Sequence, residues 1–81
     1  MKFKKGDYFI VVRDVLNKTL NGSIGICNGY ISINESKYSD MFLYRGEIIL
    51  GLGYLEKGSE YLFYSKEVKK LSKYEAMIEL L

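Results

Sequence analysis

The sequence predicts a mainly β fold, a small barrel of about five strands with a short C-terminal α-helix, in one domain over residues 1–81. Two observations carry this. Gly6-Asp7 stands directly before the apolar run Tyr8-Phe9-Ile10-Val11-Val12, so a turn leads into a strand near the start of the chain. Short runs rich in β-branched and aromatic residues, separated by Asn-, Gly- and Ser-rich stretches, then fill the chain to residue 71, and a helical pattern follows.

Tyr8 to Val15 reads as the first strand, with Tyr8, Ile10 and Val12 on one face and Phe9, Val11 and Val15 on the other. Leu16 to Ser23 is a polar loop holding Asn17, Asn21 and Gly22. Ile24 to Ile33 has two readings. Asn28-Gly29 is a strong two-residue hairpin signal, but the apolar positions 24 and 26, then 31 and 33, also suit one strand that changes face at a bulge. The bent strand is favoured, because a small barrel needs a corner. Asn34 to Asp40 is a second polar loop. Met41 to Tyr44 and Glu47 to Tyr54 are two strands joined near Arg45-Gly46 or one strand kinked there, with Gly51 and Gly53 as a further bend. Glu56-Lys57-Gly58-Ser59 is a turn, and Glu60 to Tyr64 returns as an aromatic strand.

Ser72-Lys73-Tyr74-Glu75 has the spacing of a capping box, so a helix is expected over about 73–81. Tyr74, Met77, Ile78 and Leu81 recur at i, i+3, i+4 and i+7 and make one apolar stripe. The favoured role for that stripe is a lid over the open end of the barrel. An exposed stripe would instead serve a homodimer or a partner.

Composition excludes several kinds of chemistry. The chain has no His and a single Cys, Cys27, so a zinc site lacks its ligands and a thiol nucleophile lacks an imidazole base. Cys27 reads as a small buried hydrophobe. Asp7, Asp14, Glu35, Asp40 and Glu47 lack calcium-loop spacing and are expected to be solvated. Gly51-Leu52-Gly53 lacks the later glycine and the helix that a phosphate loop needs. The expectation is therefore no enzyme, no metal and no cofactor. The nearly apolar run Ile48 to Leu55 is too short to span a bilayer, Arg13 and Asp14 interrupt any signal-peptide core, and the lone cysteine suits a reducing cytoplasm. The Asn-x-Ser/Thr triplets at Asn17, Asn21 and Asn34 are accordingly read as chance.

The net charge of +2 is mild, but lysines cluster towards both ends of the sequence. If those ends meet, Lys4, Lys5, Lys69 and Lys70 are candidate phosphate contacts, with Arg45 and nearby tyrosines to stack on bases. Protection of strand edges by lysine explains the same residues more economically. Eight Tyr supply large contact area with few rotatable bonds. The candidate partner-binding residues are Tyr44, Arg45, Tyr54, Tyr64, Tyr74, Met77 and Leu81.

Phe3-Lys4-Lys5-Gly6-Asp7 with its valine-containing strand, Gly22-Ser23-Ile24-Gly25-Ile26, the aromatic strand Tyr61 to Tyr64 and Glu67-Val68-Lys69-Lys70-Leu71 follow one another in an order that resembles the small SH3-like barrels of phages and mobile elements of Gram-positive bacteria. The resemblance implies an SH3-like barrel and a non-enzymatic protein-interaction module. Its expected target is a host or defence component, for example one inhibited in a CRISPR-like system, met in the host cytoplasm. A nucleic-acid-binding barrel is the alternative. The sequestering of a small nucleotide between protomers is a third reading that the sequence leaves open.

Overall fold

The computed structural model describes residues 3–14, 18–31 and 43–81. The opening turn forms because Asp7 closes it twice. Its amide donates to the Lys4 carbonyl at 3.0 Å, and its carboxylate accepts from the Lys4 amide at 2.8 Å. Gly6 sits in the third position at φ +97°, the left-handed conformation that a type II turn requires there.

Five strands follow: β1 Tyr8–Val11, β2 Ile24–Ile31, β3 Leu43–Leu50, β4 Glu60–Tyr64 and β5 Val68–Leu71, with helix α1 over Lys73–Glu79. All pair antiparallel in one sheet of order β4-β3-β2-β1-β5. The first four make a meander and the fifth returns beside the first. The fold is thus mainly β with a C-terminal helix, as the sequence predicts. Its ladders leave β4 and β5 as the two edges, so the hydrogen-bonded sheet is open.

β1 is shorter than expected. The amides of Val12 and Arg13 both turn to the Glu67 carbonyl, at 3.0 Å each, and so leave the ladder; Val15 lies outside the described residues. β2 is one strand, and Asn28-Gly29 is its bulge, since these two residues stand opposite the single Arg45 of β3. Gly29 takes φ +110° there. The Gly29 amide donates to Cys27 Sγ at 3.4 Å, and the thiol lies 3.5 Å from the Gly29 carbonyl. β3 runs unbroken through Arg45-Gly46, carries a second bulge at Ile49, and ends at Leu50. It stops short of Tyr54 because the Leu52 amide turns away to the buried Ser23 hydroxyl at 2.9 Å. The expected turn at 56–59 is present, with the Ser59 amide on the Glu56 carbonyl at 3.0 Å. The loop expected over 34–40 and the strand start at Met41 lie outside the described residues.

The pleat sends alternate residues to two faces. On one, Phe9, Val11, Cys27, Tyr44, Ile48, Tyr61, Phe63 and Val68 make the main core with Phe3 and Leu20. Phe63 is its centre, with ring centroids 4.4 Å from Phe9, 5.5 Å from Tyr44 and 5.6 Å from Phe3. Such aromatic pairs add roughly 0.5–1.5 kcal/mol each beyond area burial. On the opposite face Ile24 and Leu71 pack with Ala76 of α1, flanked by Tyr8 and Ile10. Among the described residues no helix is long and apolar enough to cross a membrane.

Candidate functional site

α1 begins where the capping box predicts. Ser72 Oγ accepts from the Glu75 amide and the Glu75 carboxylate accepts from the Ser72 amide, both at 3.0 Å. The Ser72 backbone, then its side chain, holds the Glu75 carboxyl below its usual range, and the Lys69 charge adds to this.

The stripe does not cover the sheet. Tyr74, Met77 and Ile78 are 74%, 59% and 50% exposed, and Leu81 is fully exposed. The lid reading is therefore corrected. Ala76 is the buried residue of α1, and at about 100° per residue it lies on the far side of the helix axis from Tyr74 and Ile78. Ala76 brings the helix close to Ile24 and Leu71 and turns the larger side chains outward.

Between α1 and the β1–β5 pair runs an open cleft of about 330 Å³, lined by Ile10, Val12, Leu71 and Ile78 with Lys69, Glu75 and Glu79. Its apolar lining follows from register. Ile10 stands opposite Lys69 and Tyr8 opposite Leu71, so these four side chains share the face that carries α1. Val12, placed on the same face by the alternation of the sequence, is 48% exposed at the cleft.

The other candidate contact residues do not join this surface. Tyr44 is corrected outright: it is 1% exposed, its ring stacks on Phe63, and its hydroxyl accepts from the Phe3 amide at 3.4 Å. Strand alternation then puts Arg45 on the outer face, its Nε 3.7 Å from Glu60. Tyr54 is exposed in the loop after β3, and Tyr64 is partly exposed at the end of β4.

The four candidate phosphate lysines divide between two faces. Lys70 pairs with Phe9 in the ladder and so points to the main-core side. Its Nζ lies 3.1 Å from Asp7 and 5.3 Å above the Phe3 ring. The opening turn and β5 therefore do meet, bringing Lys4 and Lys5 to the same end as Lys70, while Lys69 belongs to the α1 face. Asp7 sits within the basic group, its carboxyl lowered first by the Lys4 amide and then by Lys70 and the Lys4 charge.

Two acids expected in solvent have partners instead. Asp7 is one, and Asp14 is the other, accepting from the Tyr61 hydroxyl at 2.5 Å. Burial, followed by that bond, pushes the Tyr61 phenol well above its ordinary range. Cys27 is buried, and desolvation raises its thiol, which suits a packing role. Val12 and Ile78 were not among the candidate contacts, although alternation for one and the apolar stripe for the other placed them where the cleft forms.

The class defined by this fold and surface is a five-stranded antiparallel β domain with a C-terminal helix whose apolar side faces solvent. No family model, curated protein or solved structure matches the chain.

Proposed function

We propose that this chain is a non-enzymatic protein-interaction module of the SH3-like barrel class that binds its partner through the outward face of α1 and the adjoining cleft. The observation that carries the reading is the exposure of Tyr74, Met77, Ile78 and Leu81 on a helix anchored through Ala76. Fully burying a Leu-, Ile- or Met-sized side chain is worth roughly 1.5–3 kcal/mol. Covering this face therefore supplies several kcal/mol towards the roughly 4–15 kcal/mol cost of association. The order of sequence elements, similar to that of phage and mobile-element barrels, makes a bacterial host or defence protein the expected target, by analogy alone.

The test is capture from a bacterial lysate on dilute immobilised protein, with M77D/I78D beside the wild type. The wild type should retain one protein stoichiometrically and the variant should not. Equal capture by both, or capture of nucleic acid only, counts against the proposal. A nucleic-acid-binding barrel draws its support from Lys4, Lys5 and Lys70 at one end of the sheet. It is weakened by Asp7 among them and by Lys69 on the other face, and it requires binding that falls steeply with salt.

A further inference from the structure

We infer that the cleft beside α1 takes a second copy of this chain, so that the α1 wall of each copy closes on the β5 wall of the other in a two-fold dimer. The inference rests on α1 being a protein-binding surface and names the partner. The walls of the cleft carry opposite charges, Lys69 on the β5 side and Glu75 with Glu79 on the α1 side, over an apolar floor of Ile10 and Leu71. All three charged residues are exposed. Glu75 is held by its capping box with Ser72, which makes Glu79 the acid available to a partner.

Charge selects the geometry. In an isologous contact each copy presents the same patch. A two-fold axis running along the cleft lays the β5 wall of one copy over the α1 wall of the other. Lys69 of each copy then meets Glu79 of its partner, and the apolar rims of Val12 and Ile78 close together. An axis across the cleft would instead set Lys69 against Lys69 and acid against acid, a juxtaposition that suppresses pairing. Apolar burial drives the contact and the two reciprocal ion pairs fix its register. A dimer of this kind and a target complex cover the same face and exclude each other.

Sedimentation velocity of the purified full chain over a concentration series tests this. The wild type should reach twice the chain mass, and M77D/I78D should stay monomeric. K69E and E79K should each weaken the dimer by about tenfold or more, because each places like charges across the contact. An equal mixture of K69E and E79K should recover a heterodimer, since both of its cross-pairs are again of opposite sign, and the double variant K69E/E79K should recover the homodimer. Wild-type protein that stays monomeric, or a dimer indifferent to both charge reversals, overturns the inference. A monomer that still captures a lysate protein lost in M77D/I78D overturns the dimer and leaves the proposed function standing. A dimer unaffected by M77D/I78D overturns the inference alone, whereas equal lysate capture by the wild type and M77D/I78D refutes the proposed function.

Discussion

Replacing Gly46 by alanine should destabilise this protein although the backbone at that position would welcome the change. Gly46 lies inside β3 and its φ is not left-handed. Removing a glycine at such a compatible site ordinarily stabilises by about 0.4–1 kcal/mol, through the unfolded chain. The opposing effect is steric. A Cβ at Gly46 would lie 2.7 Å from Cε1 and Cζ of Phe9 and 3.2 Å from Cε1 of Phe63, whereas carbon contacts are optimal at about 3.5–4.0 Å. The Phe9 ring must therefore retreat by roughly an ångström in a core where it is fully buried. Overpacking of this kind costs about 1–3 kcal/mol. The net loss is then roughly 0.5–2.5 kcal/mol, and Tm falls by about 4–8 °C for each kcal/mol.

The decisive measurement is a double-mutant cycle with Phe9→Leu, read by urea denaturation with far-UV circular dichroism. F9L removes the two ring atoms that meet the new Cβ, itself costing about 1–2 kcal/mol. In that background G46A should be neutral or stabilising, a coupling of about 1–3 kcal/mol. Gly25→Ala is the control. Its Cβ would lie 2.5 Å from Phe9 Cζ but also 2.8 Å from the Glu47 carbonyl oxygen, so F9L should rescue it only in part. G46A as stable as the wild type, or equally costly with and without Phe9, would refute the reasoning.

Three further perturbations follow from the hydrogen bonds. The raised phenol of Tyr61 contributes stability that is fully present below its ordinary pKa of 10.0 and lost as pH rises through the higher folded value. Y61F should cost about 1–2 kcal/mol at neutral pH by removing the hydrogen bond from the Tyr61 hydroxyl to the Asp14 carboxylate. It should also flatten the alkaline fall in Tm, and an unchanged alkaline limb would contradict the assignment. The lowered carboxyl of Asp7 acts in the opposite sense. Its contribution is complete above the ordinary value of 3.8 and disappears as pH falls through the depressed folded value. Acid melting curves of D7N and wild type should therefore converge at low pH, and a constant gap would speak against it. S72A should cost α1 about 0.5–2 kcal/mol. Hydrogen exchange should quicken at the Ala76 and Leu80 amides, which bond to the Ser72 and Ala76 carbonyls. The Val11 amide, bonded to the Ser23 carbonyl, should keep its protection.

What the sequence made legible was local. Gly6-Asp7, Glu56 to Ser59 and the Ser72–Glu75 box each close within four residues, so turn and cap chemistry suffices to find them. The Asn28-Gly29 bulge was readable from the change of apolar phase on either side of it. What depended on distant partners was not. β1 ends at Val11 because Glu67, far along the chain, takes the next two amides, and Asp14 is paired because Tyr61 of β4 reaches it. Tyr44 looked like a contact residue beside Arg45, yet alternation sends neighbours to opposite faces. Choosing which of the two was buried needed the register of β3 against Phe63.

The α1 stripe shows most clearly where pattern stops and geometry begins. Periodicity finds the apolar side of the helix, and it is the favoured reading of that side as a lid over the open end of the barrel that fails, leaving the exposed stripe. A helix seated by a large side chain stands away from its sheet and can turn that side down. Seated by Ala76 over Ile24 and Leu71, α1 approaches closely and leaves Tyr74 and Met77 outside, with Ile78 at the edge of the cleft. Tyr30, Leu50, Leu52, Tyr54 and Leu62 are exposed elsewhere, but on α1 the exposed apolar side chains share one short element, which the proposed partner binding would explain. The same close seating opens the cleft, because a helix turned on Ala76 leaves Ile78 and Glu79 as one wall and Val12 and Lys69 as the other, over Ile10 and Leu71. One small residue thus creates both the exposed apolar face and the charged groove beside it.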